Sequence, residues 1–215
     1  MLVTGIKSKP VYAPLAADVG GRFHVMLGVA PGFGPLMRVI GELRAAAPEA
    51  LARARVLYAG GAPRQYPPSE RPAAPEESVS AAFAAAGIAS AAEFASVRAL
   101  LDAFTRVLEG ASMGTRLYVA GPESFIGLAM RIALDFNLNQ DEIRAEECGS
   151  RARRVHCVHC RHTTEEVRTN IVACGDCGRW LLVRDHYSRR LAAYMGVMVD
   201  AEAPGERPPI VEVFT

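Results

Sequence analysis

The chain has 215 residues, of which 50% are hydrophobic, and its 24 basic and 23 acidic side chains leave a formal net charge of +1. This balance argues against binding to a nucleic-acid backbone or an anionic membrane, because both need a strong positive field. The length is enough for one main domain with a sizeable core and a small second domain. Composition therefore predicts proteins or small molecules as partners, and neither nucleic acid nor membrane.

Residues 1–20 form an N-terminal segment in which Lys7, Lys9, Pro10 and Pro14 interrupt every apolar run. A signal peptide or a membrane span needs an uninterrupted apolar stretch, so the segment is predicted to be neither. We expect a cytoplasmic protein.

The first predicted elements are a strand and a helix joined by a glycine turn. The strand is Arg22–Ala30, an apolar run bounded by a Gly-Gly pair and a Pro-Gly pair. Pro35 suits the first position of the helix, along which apolar residues recur at helical spacing. A second short strand is predicted at Arg55–Ala59. The helical stripe consists of Leu36, Val39, Ile40 and Leu43.

Residues 62–92 are rich in Pro, Ala, Ser and Glu, and we expect a mobile, partly helical insertion there. After it, strands are predicted at Thr115–Ala120 and Glu142–Glu146, each preceded by an amphipathic helix. Strands that alternate with helices indicate a parallel sheet, so residues 21–149 are predicted to form an α/β domain. The two helical stripes are Val97, Leu100, Leu101, Phe104 and Leu108, and Phe125, Leu128, Ala129, Ile132 and Phe136.

Four of the five cysteines form two Cys-x-x-Cys pairs, separated by 13 residues. This spacing is typical of two metal-binding turns on one small domain, and it predicts that Cys157, Cys160, Cys174 and Cys177 bind one metal ion. We place this metal ribbon at residues 150–199, followed by a tail at 200–215. Cys148 is left over and is interpreted as a small buried hydrophobic residue.

Thiolates are soft ligands, so four of them suit a zinc ion or a single iron ion better than calcium or magnesium. Structural zinc is favoured. A rubredoxin-like iron centre is the alternative, because Gly178 follows the second cysteine of its pair as in such iron sites. Arg161 stands at the matching place in the first pair, and histidines 156, 159 and 162 could also ligate. Trp180, with tyrosines 187 and 194, either anchors a partner subunit or packs locally.

Residues 29–35 (VAPGFGP) lie where the first strand meets the first helix. Backbone N–H groups and the helix dipole at such a place can hold a diphosphate, although a tight structural turn would have the same sequence. The carboxylates, serines and histidines form no acid–base or nucleophile pattern, so no catalytic residue is nominated.

From Arg22 to Gly149 the chain resembles the nucleotide domain of ferredoxin–NADP reductases. The VAPGFGP turn is similar to that family's GGxGxxP turn, and Gly121-Pro122 resembles its CGP motif. The resemblance implies an NADPH site, although Val29, Ala30 and Ala120 depart from the pattern. The family's flavin-binding barrel has no room here, so flavin would belong to another subunit. The implied nucleotide-binding residues are Gly32, Gly34, Pro35, Arg64, Gly121 and Pro122, with Arg64 as the candidate for a ribose 2′-phosphate.

The tail sequence at Cys174–Val197, together with CVHC at Cys157–Cys160, resembles the DmmA subunit family of dimethylamine monooxygenases. This resemblance implies a multi-subunit enzyme that demethylates dimethylamine with O2 and NADPH, giving methylamine and formaldehyde. Haem, flavin and an iron–sulfur centre would lie on partner subunits. Three roles stay open for this chain: an NADPH-binding subunit, a scaffold with a degenerate nucleotide site, or a rubredoxin-like electron carrier.

Overall fold

The computed structural model describes residues 8–60 and 78–215. The chain forms two compact units. The α/β unit comprises Tyr12–Gly121 and Ile132–Gly149, and the ribbon unit comprises Met1–Val11, Pro122–Arg131 and Ser150–Thr215. The prediction of a parallel-sheet α/β fold with a small four-cysteine domain is confirmed.

The α/β unit is built on a five-stranded parallel sheet with strand order β3-β2-β1-β4-β5. This is the order of the doubly wound nucleotide-binding folds. The central strand β1 is buried along almost its whole length, because a parallel sheet is covered on both faces. The strands are β1 (Phe23–Val29), β2 (Ala54–Ala59), β3 (Ser90–Glu93), β4 (Thr115–Gly121) and β5 (Ile143–Glu147).

The helices are α1 (Phe33–Ala46), α2 (Val79–Ala85), α3 (Val97–Glu109) and α4 (Glu123–Asp135). The predicted stripe of α1 is buried as expected, but the helix begins at Phe33 rather than at Pro35. Proline is tolerated there because the N–H groups of the first helical turn have no intrahelical partner. At the start of α3, the Ser96 hydroxyl accepts a hydrogen bond from the Ala99 amide over 3.2 Å and caps the helix.

The edge strand β3 lies inside the stretch that was predicted as an insertion. Its sequence, Ser-Ala-Ala-Glu, has low strand propensity, so its pattern gave no strand signal. It forms because it pairs with β2 from Arg55 to Tyr58. The helical part of the predicted insertion is α2, and residues 61–77 lie outside the described residues.

The ribbon unit contains a second five-stranded sheet, with order β7-β6-β10-β9-β8. Only the β6–β10 pair is parallel. Cys157 and Cys174 are part of its small core, together with buried Tyr187 and Tyr194, which therefore pack locally, while Trp180 is 36% exposed. The strands are β6 (Arg153–Cys157), β7 (Thr163–Val167), β8 (Ile171–Ala173), β9 (Trp180–Ser188) and β10 (Ala193–Met198).

A buried arginine packs against aromatic residues of the ribbon core. The Arg153 guanidinium lies between two aromatic rings, 3.9 Å from the ring centre of Tyr194 and 3.8 Å from that of Phe214. It also donates a hydrogen bond of 2.6 Å to Asp185. Cation–π contacts gain strength when the cation is desolvated, so Phe214 holds the C-terminal segment against the sheet.

Among residues 8–60 and 78–215, every helix is too short or too polar to cross a membrane.

The turn after β1 packs directly on the neighbouring strand. Gly32 is buried, and a Cβ atom at this position would collide with the backbone of Ala120 in β4. Gly34, two residues later, has open space where its Cβ would be. Glycine is therefore required sterically at position 32. At position 34 a Cβ atom would meet no residue beyond the chain neighbours, of which Pro35 disfavours helical backbone for a residue with a Cβ atom.

We expect Gly32→Ala to lower the free energy of unfolding of the α/β unit by about 2–3 kcal/mol, because backbone atoms must move apart. Gly34→Ala is the matched control and should change it by less than about 1 kcal/mol, because alanine is the better helix former but is disfavoured in helical backbone directly before Pro35. Urea unfolding followed by far-UV circular dichroism measures both. Equal destabilisation by the two variants would contradict this account of the turn.

Candidate metal centre and nucleotide-type loop

The four cysteines are positioned by two turns at one end of the ribbon sheet. Cys157 is the last residue of β6, and Cys174 directly follows β8. These two cysteines are buried, whereas Cys160 and Cys177, which lie further along each turn, are partly exposed. Each turn thus supplies one inner and one outer thiol.

The two turns have the same backbone hydrogen bonds. The Cys157 amide donates to the His162 carbonyl, and the Cys174 amide donates to the Arg179 carbonyl, both over 2.8 Å. In the reverse direction the Arg161 amide donates to the Cys157 carbonyl over 2.9 Å, and the Gly178 amide donates to the Cys174 carbonyl over 3.1 Å. The two cysteine pairs are therefore structural equivalents.

The residue after each outer cysteine adopts a left-handed backbone conformation. Gly178 has φ 70°, and Arg161 at the equivalent position has φ 68°. Glycine adopts this conformation freely, whereas for a residue with a Cβ atom it costs roughly 1 kcal/mol of conformational free energy. The spacing alone indicated that these positions match, but the strain at Arg161 was visible only in the structure.

The four sulfur atoms lie within 4.8 Å of one another. Two pairs are separated by 3.5 Å (Cys160–Cys174) and 3.9 Å (Cys157–Cys177). A tetrahedral ion with metal–sulfur bonds of about 2.3 Å requires sulfur atoms about 3.8 Å apart. The cluster can therefore hold one zinc or iron ion with little rearrangement.

As free thiols, the outer cysteines titrate differently. The backbone amide of Arg179 and the neighbouring thiols lower the pKa of Cys177 to about 6. At Cys160, the amide of His162 lowers the pKa, but burial and hydrogen bonds with the other three thiols raise it to about 12. Neighbouring thiolates repel one another, so a cation is what allows all four to be charged together.

The nearby histidines make other contacts. His156 Nδ1 lies 3.4 Å from the Thr163 hydroxyl, and the His162 ring packs beside Gly175. Within the described ranges, the ligand cluster contains cysteines alone.

The glycine turn lies at the carboxyl end of β1, beside the end of β4. Gly32 contacts the Ala120 carbonyl, so it adjoins Gly121 at the end of that strand. Pro122 follows Gly121 in the chain. The structure therefore brings Gly32 and Gly121 together and leaves Gly34 exposed on the outer side of the turn. Arg64 lies outside the described residues.

The first turn of α1 has no acidic residue and no side-chain cap. Its N–H groups are thus suited to an anion, although Pro31 and Pro35 lack this donor. Tyr58 stabilises the turn by donating a hydrogen bond of 2.7 Å to the Ala30 carbonyl. The Tyr58 ring packs against Phe33 and Phe83, so one side of the turn is already filled by aromatic rings. Sequence reasoning missed Tyr58, whose role depends on this contact.

Cys148 follows β5 and is partly buried against the α/β core. Burial, with the charges of Glu146 and Glu147, raises the pKa of its thiol to about 11. The thiol is therefore protonated and weakly nucleophilic at neutral pH. The residue is partly buried, whereas the sequence interpretation expected a buried one.

Two family models match the chain in order. The N-terminal domain of dimethylamine monooxygenase subunit DmmA-like proteins matches residues 4–143, and the C-terminal domain of the same proteins matches residues 154–197. This chain belongs to the DmmA-like family. The second match contains all four clustered cysteines, so the metal centre lies within the part of the chain that the family model describes.

A curated relative from Ectopseudomonas mendocina (strain ymp), the heme-dependent oxidative N-demethylase delta subunit, is 36% identical over 112 residues. The match covers 52% of this chain and 64% of the relative, which is just under two thirds of its length. It supports membership of the DmmA-like family.

Solved structures with a similar fold include two reductases. Phthalate dioxygenase reductase is 13% identical, with a TM-score of 0.43, over 74% of this chain and 46% of that chain. The ferredoxin reductase in carbazole 1,9a-dioxygenase is also 13% identical, with a TM-score of 0.41, over 63% of this chain and 34% of that chain. These likenesses are distant, and the strand order of the sheet carries the fold assignment.

The strained arginine gives a direct test of the equivalence between the two turns. Arg161→Gly should raise the free energy of unfolding of the metal-loaded ribbon by roughly 0.5 kcal/mol, while Gly178→Ala should lower it by roughly 1 kcal/mol. Arg161→Ala is the control, since it removes the guanidinium but keeps the Cβ atom. Trp180 is the only tryptophan and lies in the ribbon unit, so its fluorescence can follow urea unfolding. A loss of stability in Arg161→Gly would show that the two turns are not equivalent.

Proposed function

We propose that this chain is a subunit of a multi-component, haem-dependent oxidative N-demethylase that acts on dimethylamine. The observation that carries the proposal is the ordered match of both DmmA-like domains, supported by the name of the curated relative. In the proposed reaction dimethylamine, O2, NADPH and a proton give methylamine, formaldehyde, NADP+ and water. Haem, flavin and an iron–sulfur centre belong to partner subunits, and the complex works in the cytoplasm.

The proposed role of the α/β unit is to hold NADPH at the turn formed by Gly32, Gly34 and Pro35, beside Gly121. Two features support this role: the uncapped first turn of α1 and the exposed glycine at position 34. A Cβ atom at position 34 would meet no residue beyond the chain neighbours, so the following Pro35 is the local reason for glycine in this first turn of the helix. Close approach of a diphosphate to the exposed backbone would be a second reason.

A scaffold role is the second candidate, and one observation favours it. The packing of Gly32 on Ala120 is enough to explain why this residue is glycine, so the turn keeps its shape without any ligand. Val29 and Ala30 replace the two glycines that would lie nearest the diphosphate. In the scaffold role the fold is kept for assembly, and NADPH binds to a partner subunit.

The two roles differ in their response to a negative charge in the turn. Gly34→Asp should reduce NADPH-dependent turnover of dimethylamine by the assembled complex roughly tenfold at limiting NADPH, because the carboxylate repels a diphosphate. Gly41→Asp, on the same helix and also in open space, is the control and should leave turnover unchanged. Steady-state oxidation of NADPH measures both. Unchanged turnover in both variants, with the complex intact, favours the scaffold role.

For the ribbon we propose one structural zinc ion bound by Cys157, Cys160, Cys174 and Cys177. The ribbon core is small, so the metal would contribute much of its folding free energy. A mononuclear iron is the alternative, and the amide hydrogen bonds to the outer sulfurs fit either ion. Iron would make the ribbon an electron carrier.

Elemental analysis of protein purified without added metal should find about one zinc per chain and no visible colour. Removal of the ion with a chelator should unfold the ribbon, and a fall in Trp180 fluorescence anisotropy would show this. The far-UV circular dichroism signal of the helices in the α/β unit should remain. Cys157→Ser should lose the metal, whereas Cys148→Ser should keep it. Iron with thiolate charge-transfer bands would overturn the zinc assignment.

A further inference from the structure

The C-terminal residues of the ribbon unit run alongside residues 168–170, between β7 and β8. The Asn170 amide donates to the Val211 carbonyl over 3.0 Å, and the Val213 amide donates to the Arg168 carbonyl over 2.9 Å. The Asn170 side chain accepts from the Val211 amide over 2.7 Å. This C-terminal segment, Ile210–Phe214, is thus paired with the sheet along one of its two edges.

The hydrogen-bond pattern shows where the other edge points. Thr169 and Glu212 face each other as an antiparallel pair, and the bonds that flank them come from Asn170 and Val213. When the hydrogen bonds of an antiparallel pair are made by the flanking residues, the two facing residues turn their own N–H and C=O groups outward, away from the partner segment. The Glu212 N–H and C=O therefore lie on the outer edge, and neither group bonds to any residue that the structure describes.

The side chains beside this edge are apolar and exposed. Ile210, Val211 and Val213 are 54%, 50% and 49% exposed. Single exposed apolar residues are common on protein surfaces, but Val211 and Val213 lie on the same face of the extended segment and together form a small apolar patch. An outer backbone edge next to such a patch is what another strand pairs with.

The segment is also fixed in place before any partner arrives. Phe214 stacks on the buried Arg153, and the Asn170 side chain donates to the Pro209 carbonyl over 3.1 Å. Three residues before the segment begins, the Arg207 guanidinium lies 4.7 Å from the centre of the Trp180 ring. A held edge binds more tightly than a loose one, because less conformational entropy is lost on binding.

We propose that the outer edge of the C-terminal segment receives an extended segment of a partner subunit as an added β-strand. The partner strand exchanges hydrogen bonds with the Glu212 N–H and C=O, and its apolar side chains cover Val211 and Val213. An extended strand fits this edge because one residue of its backbone presents an N–H and a C=O side by side, matching the C=O and N–H of Glu212. The inference rests on the proposal that this chain works in a complex, and it names one place where the complex is joined.

Hydrogen–deuterium exchange on the free chain and on the purified complex is the first test. Exchange at the Glu212 amide should slow at least tenfold in the complex. The Val213 amide, which already donates to Arg168, is the internal reference and should change much less. If the wild-type complex forms and exchange at Glu212 is unchanged, the inference fails while the proposed function stands. If no complex forms, the proposed function itself fails.

Two substitutions at one position provide the second test. Glu212→Pro removes the outer N–H, whereas Glu212→Ala removes only the side chain. We expect Glu212→Pro to weaken assembly roughly tenfold relative to Glu212→Ala, as for the loss of one or two backbone hydrogen bonds. Equal affinity of the two variants would overturn the inference. If Glu212→Pro alters the thermal unfolding of the free chain, the exchange experiment decides.

The free chain provides the last control. Sedimentation should find a monomer, and Val213→Ser should weaken assembly while Met113→Ser, at an exposed apolar residue of the α/β unit, should not. A dimer that Glu212→Pro dissociates would show that a second copy of this chain occupies the edge, which would overturn the partner-subunit assignment.

Discussion

The metal site depends on a pair of backbone hydrogen bonds that closes each cysteine turn. In each turn the first cysteine both donates and accepts, and these bonds fix where the two sulfurs lie relative to β6 and β8. Because the two turns repeat one geometry, four thiols converge to the spacing that a tetrahedral ion needs. Cys157 and Cys174 also belong to the ribbon core, so the metal site and the packing of the unit stabilise each other.

In the α/β unit the equivalent constraint is the close approach of Gly32 to Ala120. It brings the start of α1 against the end of β4, at the point of a doubly wound sheet where ligands commonly bind. Packing against β4 therefore accounts for Gly32, whereas at Gly34 the restriction comes from the neighbouring Pro35.

The two units offer different sites. The α/β unit has an uncapped helix start at the glycine turn, which suits an anion. The ribbon unit carries the metal cluster at one end and the half-paired C-terminal segment beside residues 168–170. Family models of DmmA-like proteins match both parts of the chain in order, so both features belong to a DmmA-like chain.

The sequence by itself determined the parallel sheet, the positions of most of its strands and helices, and the four cysteines as a cluster, because hydrophobic periodicity and Cys-x-x-Cys spacing are local signals. The five strands of the ribbon sheet were not predicted. Only the tertiary structure decided the rest. The strand β3 exists because β2 pairs with it, Tyr58 supports the turn through a carbonyl 28 residues away in sequence, and Arg161 is strained because its turn repeats that of Gly178. The N–H and C=O groups of Glu212 point outward only because Val211 and Val213 pair with residues far earlier in the chain. Each of these depends on contacts between distant parts of the chain, which no local pattern encodes.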